Sequence, residues 1–208
     1  MSKSAAEVVP HCGHVSDIMR QALLNHLPAT VWLTGLSGAG KSTLAYALEA
    51  HLIGEHHACC VLDGDNLRHG INADLGFTQA ERRENMRRVA QVARLMNDAG
   101  LIVIAALVSP FDADRALARE IVGSDRFLQV HVATPLACCE ARDAKGFYRR
   151  ARNGDMRGFT GIDSPYETPA DPAIVLDTSW MSVSLCIGRL ARLLEPFGVA
   201  SSVSARAA

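Results

Sequence analysis

Gly35-Leu36-Ser37-Gly38-Ala39-Gly40-Lys41-Ser42 fits the G-x-x-x-x-G-K-[ST] phosphate-binding pattern, between the apolar run Val31-Trp32-Leu33-Thr34 and a helix-forming run that begins at Thr43. Strand, glycine-rich loop and helix in that order constrain the fold more than any other stretch of this chain. The glycines let the backbone curl so that several N–H groups face one phosphate chain, and the following helix adds the positive end of its dipole. Lys41 is expected to reach the terminal phosphates, and the Ser42 hydroxyl to ligate a magnesium ion. The chain is therefore expected to bind a nucleoside triphosphate.

Five apolar runs, at 31–34, 58–62, 101–108, 127–133 and 173–176, alternate with helical patterns at about 42–54, 79–98, 112–121, 135–142 and 180–195. A further short helix is expected at 16–27, inside an N-terminal arm of residues 1–30. Nearly continuous apolar runs suit strands buried on both faces, so the pattern predicts a three-layer α/β fold: a five-stranded parallel sheet with helices on both sides. Thr78-Gln79-Ala80-Glu81 reads as a capping box and Gly100 as the stop of the longest helix. Residues 31–197 are read as one domain. Segment 143–172 is polar, rich in Arg, Gly and Pro, and too long for an ordinary connection, so it reads as a mobile lid. The tail 198–208 is small and polar and is expected to fray.

Bulk properties exclude several classes. Over 208 residues the net charge is −1, which argues against a general nucleic-acid binder. No apolar stretch approaches the roughly 20 residues of a membrane span, and the N-terminus lacks the apolar core of a secretory signal. The six cysteines include the adjacent pairs Cys59-Cys60 and Cys138-Cys139, which are read as reduced, mostly buried residues of a cytoplasmic protein. His11-Cys12-Gly13-His14 has no second ligand cluster and reads as part of the arm rather than a metal site.

The second strand delivers Asp63-Gly64-Asp65-Asn66 to the same sheet edge as the phosphate loop. A carboxylate there holds Mg²⁺, takes a proton from an attacking hydroxyl, or merely shapes a turn. Arg82 and Asn85 share a face of the longest helix; with Arg68 and the positive end of the helix they form an anion receptor, the alternative being a salt-bridged surface in which Glu81 and Glu84 pair with Arg83, Arg87 and Arg88. Ser109-Pro110 ends the third strand, and its hydroxyl either faces the ligand edge or caps the next helix. In the lid, Lys145, Arg149, Arg150, Arg152 and Arg157 have only Asp143 and Asp155 as local acids, a composition suited to closing over polyphosphate. Phe159 interrupts that polar segment, and a nucleobase is a natural partner for it.

Taken in order, G-L-S-G-A-G-K-S-T (35–43), D-G-D-N-L-R-H-G (63–70), L-G-F-T-Q-A-E-R-R-E-N (75–85), G-L-I-V-I-A-A-L-V-S-P-F (100–111), C-E-A-R-D-A-K-G-F-Y (139–148) and F-T-G-I-D-S-P-Y-E-T-P (159–169) resemble the adenylylsulfate kinase (APS kinase) family in its free-standing form. The resemblance spans about residues 31–178. It implies a P-loop nucleoside-triphosphate-binding fold of strand order 2-3-1-4-5, and Mg²⁺-dependent transfer of a phosphoryl group from ATP to the 3′-hydroxyl of adenylyl sulfate. The implied products are ADP and 3′-phosphoadenylyl sulfate. It further implies that Gly35, Leu36, Ser37, Gly38, Ala39, Gly40, Lys41, Ser42, Thr43 and Arg149 bind ATP. Phe77 and Phe159 would sandwich the acceptor's adenine, while Arg68, Arg82 and Asn85 would hold its phosphosulfate and Lys145 would add charge. Asp65, Leu107, Val108, Gly161 and Ile162 would complete the acceptor pocket. The catalytic set would be Lys41, Asp63 and Ser109, the last matching a serine described as transiently phosphorylated, with Ser42 and Asp63 at the metal. Family members commonly form dimers, so a homodimer is expected. Ala39 and Ala144 depart from common family residues without removing a side chain given a role. Two other readings share part of these signals: another small-molecule P-loop kinase, or a nucleotide sensor that has lost its chemistry.

Overall fold

Thr30–Thr34 (β1) and Ile102–Ala106 (β3) are buried at every residue, which is what strands covered on both faces require. The computed structural model describes residues 9, 11 and 13–199. The other strands are Cys59–Asp63 (β2), Phe127–Val132 (β4) and Ile174–Leu176 (β5). All pair in parallel, in the order β2-β3-β1-β4-β5 that the resemblance implied. Thr30 aligns with Val103 on one side and Phe127 on the other, so β1 is central.

Alternating side chains of the central strands divide the core. Val31, Leu33, Ile102 and Ile104 face Leu44, Leu48 and Leu52 of Lys41–Gly54 (α2) and Leu190 of Val183–Leu193 (α8). Trp32, Val103 and Ala105 face Met86, Val89, Ala90 and Ala93 of Gln79–Asp98 (α4) and Ala118 of Asp112–Val122 (α5). Truncating one buried leucine in such a layer costs about 2–5 kcal/mol. Packing on the sheet, more than helix propensity, therefore holds the carboxyl ends of the strands in place.

The capping box at Thr78 and Glu81 is formed, and Gly100 follows the end of α4 with φ +97°. Other expectations need correction. β3 stops at Ala106, two residues before the expected end, because Val108 turns to offer its carbonyl to Gly35 N and Thr34 Oγ1. Gly64–Arg68 (α3) and Phe147–Arg152 (α7) are helical turns within stretches read as loop and lid. The first helix, Asp17–Leu24 (α1), is shorter than expected and ends at Asn25 in the left-handed region. Leu136–Arg142 (α6) matches its expected range within a residue. Instead of 180–195, α8 is capped by Ser182, and a 3₁₀ turn at Glu195–Phe197 follows. Val199, placed in the fraying tail, is 1% exposed; residues 200–208 and Cys12 lie outside the described residues. The described cysteines are all free.

A histidine pair joins the chain after α1 to the start of β2. His26 is buried, with Nε2 3.1 Å from Gly100 O and Nδ1 3.3 Å from His57 Nδ1. Burial lowers both pKa values; the Gly100 carbonyl opposes this at His26, and Glu55 opposes it at His57. The fold thus favours neutral rings, whereas the unfolded chain protonates near pH 6.5, so this stability is present above that pH and lost as pH falls. Thermal melts are expected to show the melting temperature dropping between about pH 7 and pH 5. A His26→Gln, His57→Gln double variant should lose much of that slope.

Candidate active site

The phosphate loop closes tightly at the mouth of β1. A Cβ on Gly35 would stand 2.4 Å from the Val132 carbonyl oxygen, so no other residue fits there. Lys41, the first residue of α2, turns back and donates from Nζ to Gly35 O (2.9 Å) and Leu36 O (2.7 Å). Burial pushes its pKa down to about 8, against the pull of Asp65 and Asp63. The neighbouring Ser42 Oγ donates to Asp63 Oδ2 at 2.6 Å.

Asp63 divides its oxygens between a turn and the phosphate loop's serine. Oδ1 accepts from Asp65 N (3.0 Å) and Asn66 N (3.4 Å), capping α3, while Oδ2 meets Ser42 at the cleft floor. The cleft encloses about 710 Å³ at the carboxyl edge of the sheet, where α/β folds bind ligands. Ser37, Lys41, Ser42 and Asp63 line one part, and Asp65, Arg68, Phe77, Arg82, Asn85, Leu107, Val108, Ser109, Lys145 and Phe159 line the rest.

At that second end Phe77 is 65% exposed, with the Arg68 guanidinium 4.2 Å from its ring centroid. Arg68 Nη1 donates to Leu75 O and Gly76 O. Arg82 donates from Nε to Phe77 O, from Nη1 to Thr160 Oγ1 and from Nη2 to Gly158 O, so it ties α4 to the 158–160 strip across the cleft. The salt-bridged surface does form in part, on the neighbouring arginines and not on Arg68 or Arg82. Glu81 spends its carboxylate on Thr78, and Glu84 pairs with Arg87 and Arg88. Phe159 is propped edge-on by Tyr148 (4.9 Å) and Phe147 (6.3 Å). Buried Asn85 accepts through Oδ1 from Asn72.

Ser109 lines the cleft and does not cap α5, but its hydroxyl is turned into the protein. It is 3% exposed, its Oγ receives Trp32 Nε1–H at 3.3 Å, and Phe111 rather than Ser109 caps α5. Its φ of +38° is left-handed, a conformation that costs a non-glycine residue about 1–2 kcal/mol. The basic run of 143–172 is also partly paired: Lys145 bonds Asp65, and Arg152 bonds Glu140.

A sequence profile described as Adenylylsulphate kinase matches residues 27–177 of this chain. The chain belongs to that family. A Citrobacter koseri adenylyl-sulfate kinase is 52% identical over 188 residues, 90% of this chain and 92% of its own length. A Shewanella amazonensis adenylyl-sulfate kinase is 54% identical over 83% of this chain and 87% of its own. Among solved structures, the Mycobacterium tuberculosis APS kinase in complex with AMPPNP and APS superposes with a TM-score of 0.78 at 46% identity, covering 81% of this chain and 98% of that one. A Janibacter sugar kinase at 18% identity and TM-score 0.59 shares the fold. The chain is thus an adenylylsulfate kinase in family, fold and enzyme class.

Within this adenylylsulfate kinase, some expected residues stand behind the wall of the cleft rather than on it. Gly161 packs against Leu36 and Leu136, Ile162 joins the edge of the core, Gly35, Leu36 and Ala39 are also off the lining, and Arg149 is exposed away from it. Sequence reasoning missed Arg142, Thr178, Met181 and Val183, which line the phosphate-loop end. Arg142 donates to Gly38 O, Thr178 Oγ1 and Thr178 O, clamping the loop to the chain after β5. Its signal lay inside the C-E-A-R-D run; Thr178 had none.

The metal assignment meets suitable donors. Ser42 and Asp63 offer two hard oxygens 2.6 Å apart beside Lys41, and no cluster of three His, Cys, Asp or Glu occurs among the described residues. That suits Mg²⁺, which keeps most of its shell from water and phosphate, rather than an ion caged by protein.

Proposed function

We propose that this chain transfers the γ-phosphoryl group of ATP to the ribose 3′-hydroxyl of adenylyl sulfate, releasing ADP and 3′-phosphoadenylyl sulfate. The observation that carries this reading is one cleft with two unlike ends. A phosphate loop with Lys41 and Ser42 stands at one, and Phe77, Phe159 and two arginines at the other. The Mycobacterium tuberculosis relative, solved with AMPPNP and APS together, supports two nucleotides meeting in such a cleft.

The roles follow from chemistry. Phosphoryl transfer passes through a loose transition state, so positioning and charge do most of the work. Leu36, Ser37, Gly38, Gly40 and Thr43 present backbone N–H groups to ATP, Gly35 and Ala39 hold the curl of the loop through their own N–H bonds to Val108 O and Leu36 O, and Lys41 neutralises charge on the terminal phosphates. Ser42 and Asp63 would hold Mg²⁺, which would supply Lewis-acid charge compensation. Phe77 and Phe159 stack on the acceptor's adenine, each worth about 1–3 kcal/mol. Arg68, Arg82 and Asn85 take the phosphosulfate, with Lys145 released from Asp65 to join them. Asp65, Leu107, Val108, Gly161 and Ile162 shape that pocket, and Asp63 takes the hydroxyl proton. Segment 143–172 acts as a lid, with Arg149 closing on ATP. Ser109, whose hydroxyl is buried against Trp32, serves as wall; direct in-line transfer needs no phosphoserine. The enzyme works as a cytoplasmic homodimer. No helix among the described residues is long and apolar enough to cross a membrane.

A coupled assay of ADP release tests the reading. Release is expected to need adenylyl sulfate and Mg²⁺ and to be negligible with a nucleoside monophosphate or a sugar acid. Equal release with those acceptors would overturn the substrate assignment.

A further inference from the structure

One buried arginine outside the cleft ties its wall at Ser109 to the start of α5 and to the chain at 166–167 behind it. Arg115, on α5, is 1% exposed and does not line the cleft. Its Nη1 donates to Ser109 O at 2.6 Å, and its Nη2 to Glu167 O at 2.6 Å and to the Asp112 carboxylate. The guanidinium carbon stands 5.7 Å from the centre of the Tyr166 ring. Tyr166 in turn reaches Thr34, the last residue of β1, with its hydroxyl 3.0 Å from Thr34 Oγ1.

Proton bookkeeping orders this network. Thr34 Oγ1 donates to Val108 O at 2.8 Å, so the Tyr166 hydroxyl donates to Thr34. Glu167 adds two more bonds: its N–H to Pro110 O, and its Oε2 accepting from Asp112 N. The left-handed Ser109 is thereby held through its carbonyl by Arg115 and through the adjoining Val108 by Thr34. The same groups hold the chain at 166–167, seven residues after the Phe159 wall. A planar fork with five donors bridges two carbonyls and a carboxylate at once, which an ammonium does not.

We propose that Arg115 is a positioning residue for the acceptor: it locks the strained 107–110 wall to the far root of segment 143–172 and so fixes the width of the acceptor pocket. The inference rests on the acceptor assignment above. Arg115 touches no substrate; it acts through Ser109 and Glu167.

Arg115→Lys keeps charge and most of the volume but loses the fork. It is expected to raise KM for adenylyl sulfate about tenfold or more while KM for ATP stays within about twofold, since small displacements of positioning groups cost up to about a hundredfold. Tyr166→Phe, which keeps the ring and loses the Thr34 bond, should shift the acceptor KM in the same direction by a smaller factor. Amide hydrogen exchange should quicken at 107–109 and 166–167 in Arg115→Lys, with the α2 and α4 amides unchanged. A lowered melting temperature with both KM values unchanged would make Arg115 a structural residue only, and unchanged protection at 107–109 and 166–167 would overturn the anchoring itself. Failure of the unsubstituted protein to use adenylyl sulfate would overturn the acceptor assignment, and exchange would still decide the anchoring.

Discussion

Lys41→Met is expected to lower kcat by about a thousandfold or more, because on the proposed reading the ammonium compensates charge on the transferred phosphoryl group. Methionine fills the same buried space on α2, so the melting temperature should change little. What disappears is the donor that rests on Gly35 O and Leu36 O and that phosphate oxygens would replace. The lowered pKa gives a companion result. In the ligand-free site Lys41 loses its proton as pH rises past about 8, whereas a bound polyphosphate requires the charged form. KM for ATP is therefore expected to climb above that pH in steady-state assays, and that climb should vanish in Lys41→Met. A variant retaining more than a tenth of the wild-type kcat would remove Lys41 from its assigned role.

Asp63→Asn is expected to reduce kcat by about 10²–10⁴-fold with little loss of stability. Asparagine keeps an acceptor for Asp65 N and Asn66 N, so the α3 cap survives. The negative oxygen opposite Ser42 does not survive, and with it would go the proposed hold on Mg²⁺ and the proposed proton acceptor. Raising the Mg²⁺ concentration separates the two: partial recovery points to the metal, and none to the proton. Activity within about threefold of wild type would leave Asp63 as a turn-forming residue alone, since an essential acid–base or metal group contributes far more than that.

These two residues were legible in the sequence because their spacing is local. Lys41 follows the glycine loop directly, and Asp63 ends an apolar run. The strand order followed from the family likeness, and the start and stop of α4 from Thr78, Glu81 and Gly100. What escaped depends on contacts between distant segments. Lys145 meets Asp65 eighty residues away, and Arg142 bridges Gly38 and Thr178. The short helix α7 is capped by the Asp143 carboxylate, which accepts from Tyr148 N and Arg149 N, and is pinned where Tyr148 donates to Ser37 O. Neither partner is adjacent enough for a run rich in Arg and Gly to announce a helix. The left-handed turn at Ser109 was hidden for the same reason, since Arg115 and Thr34 hold it from other elements.

The bond from Trp32 to Ser109 gives this protein a built-in optical reporter. The chain has two tryptophans: Trp32 is sealed in the central strand with its indole N–H on the acceptor-side wall, and Trp180 is 68% exposed. Their emission separates by wavelength, the dry indole toward the blue and the wet one toward the red. Light from the inner chromophore thus reads out the wall at Ser109 without any label.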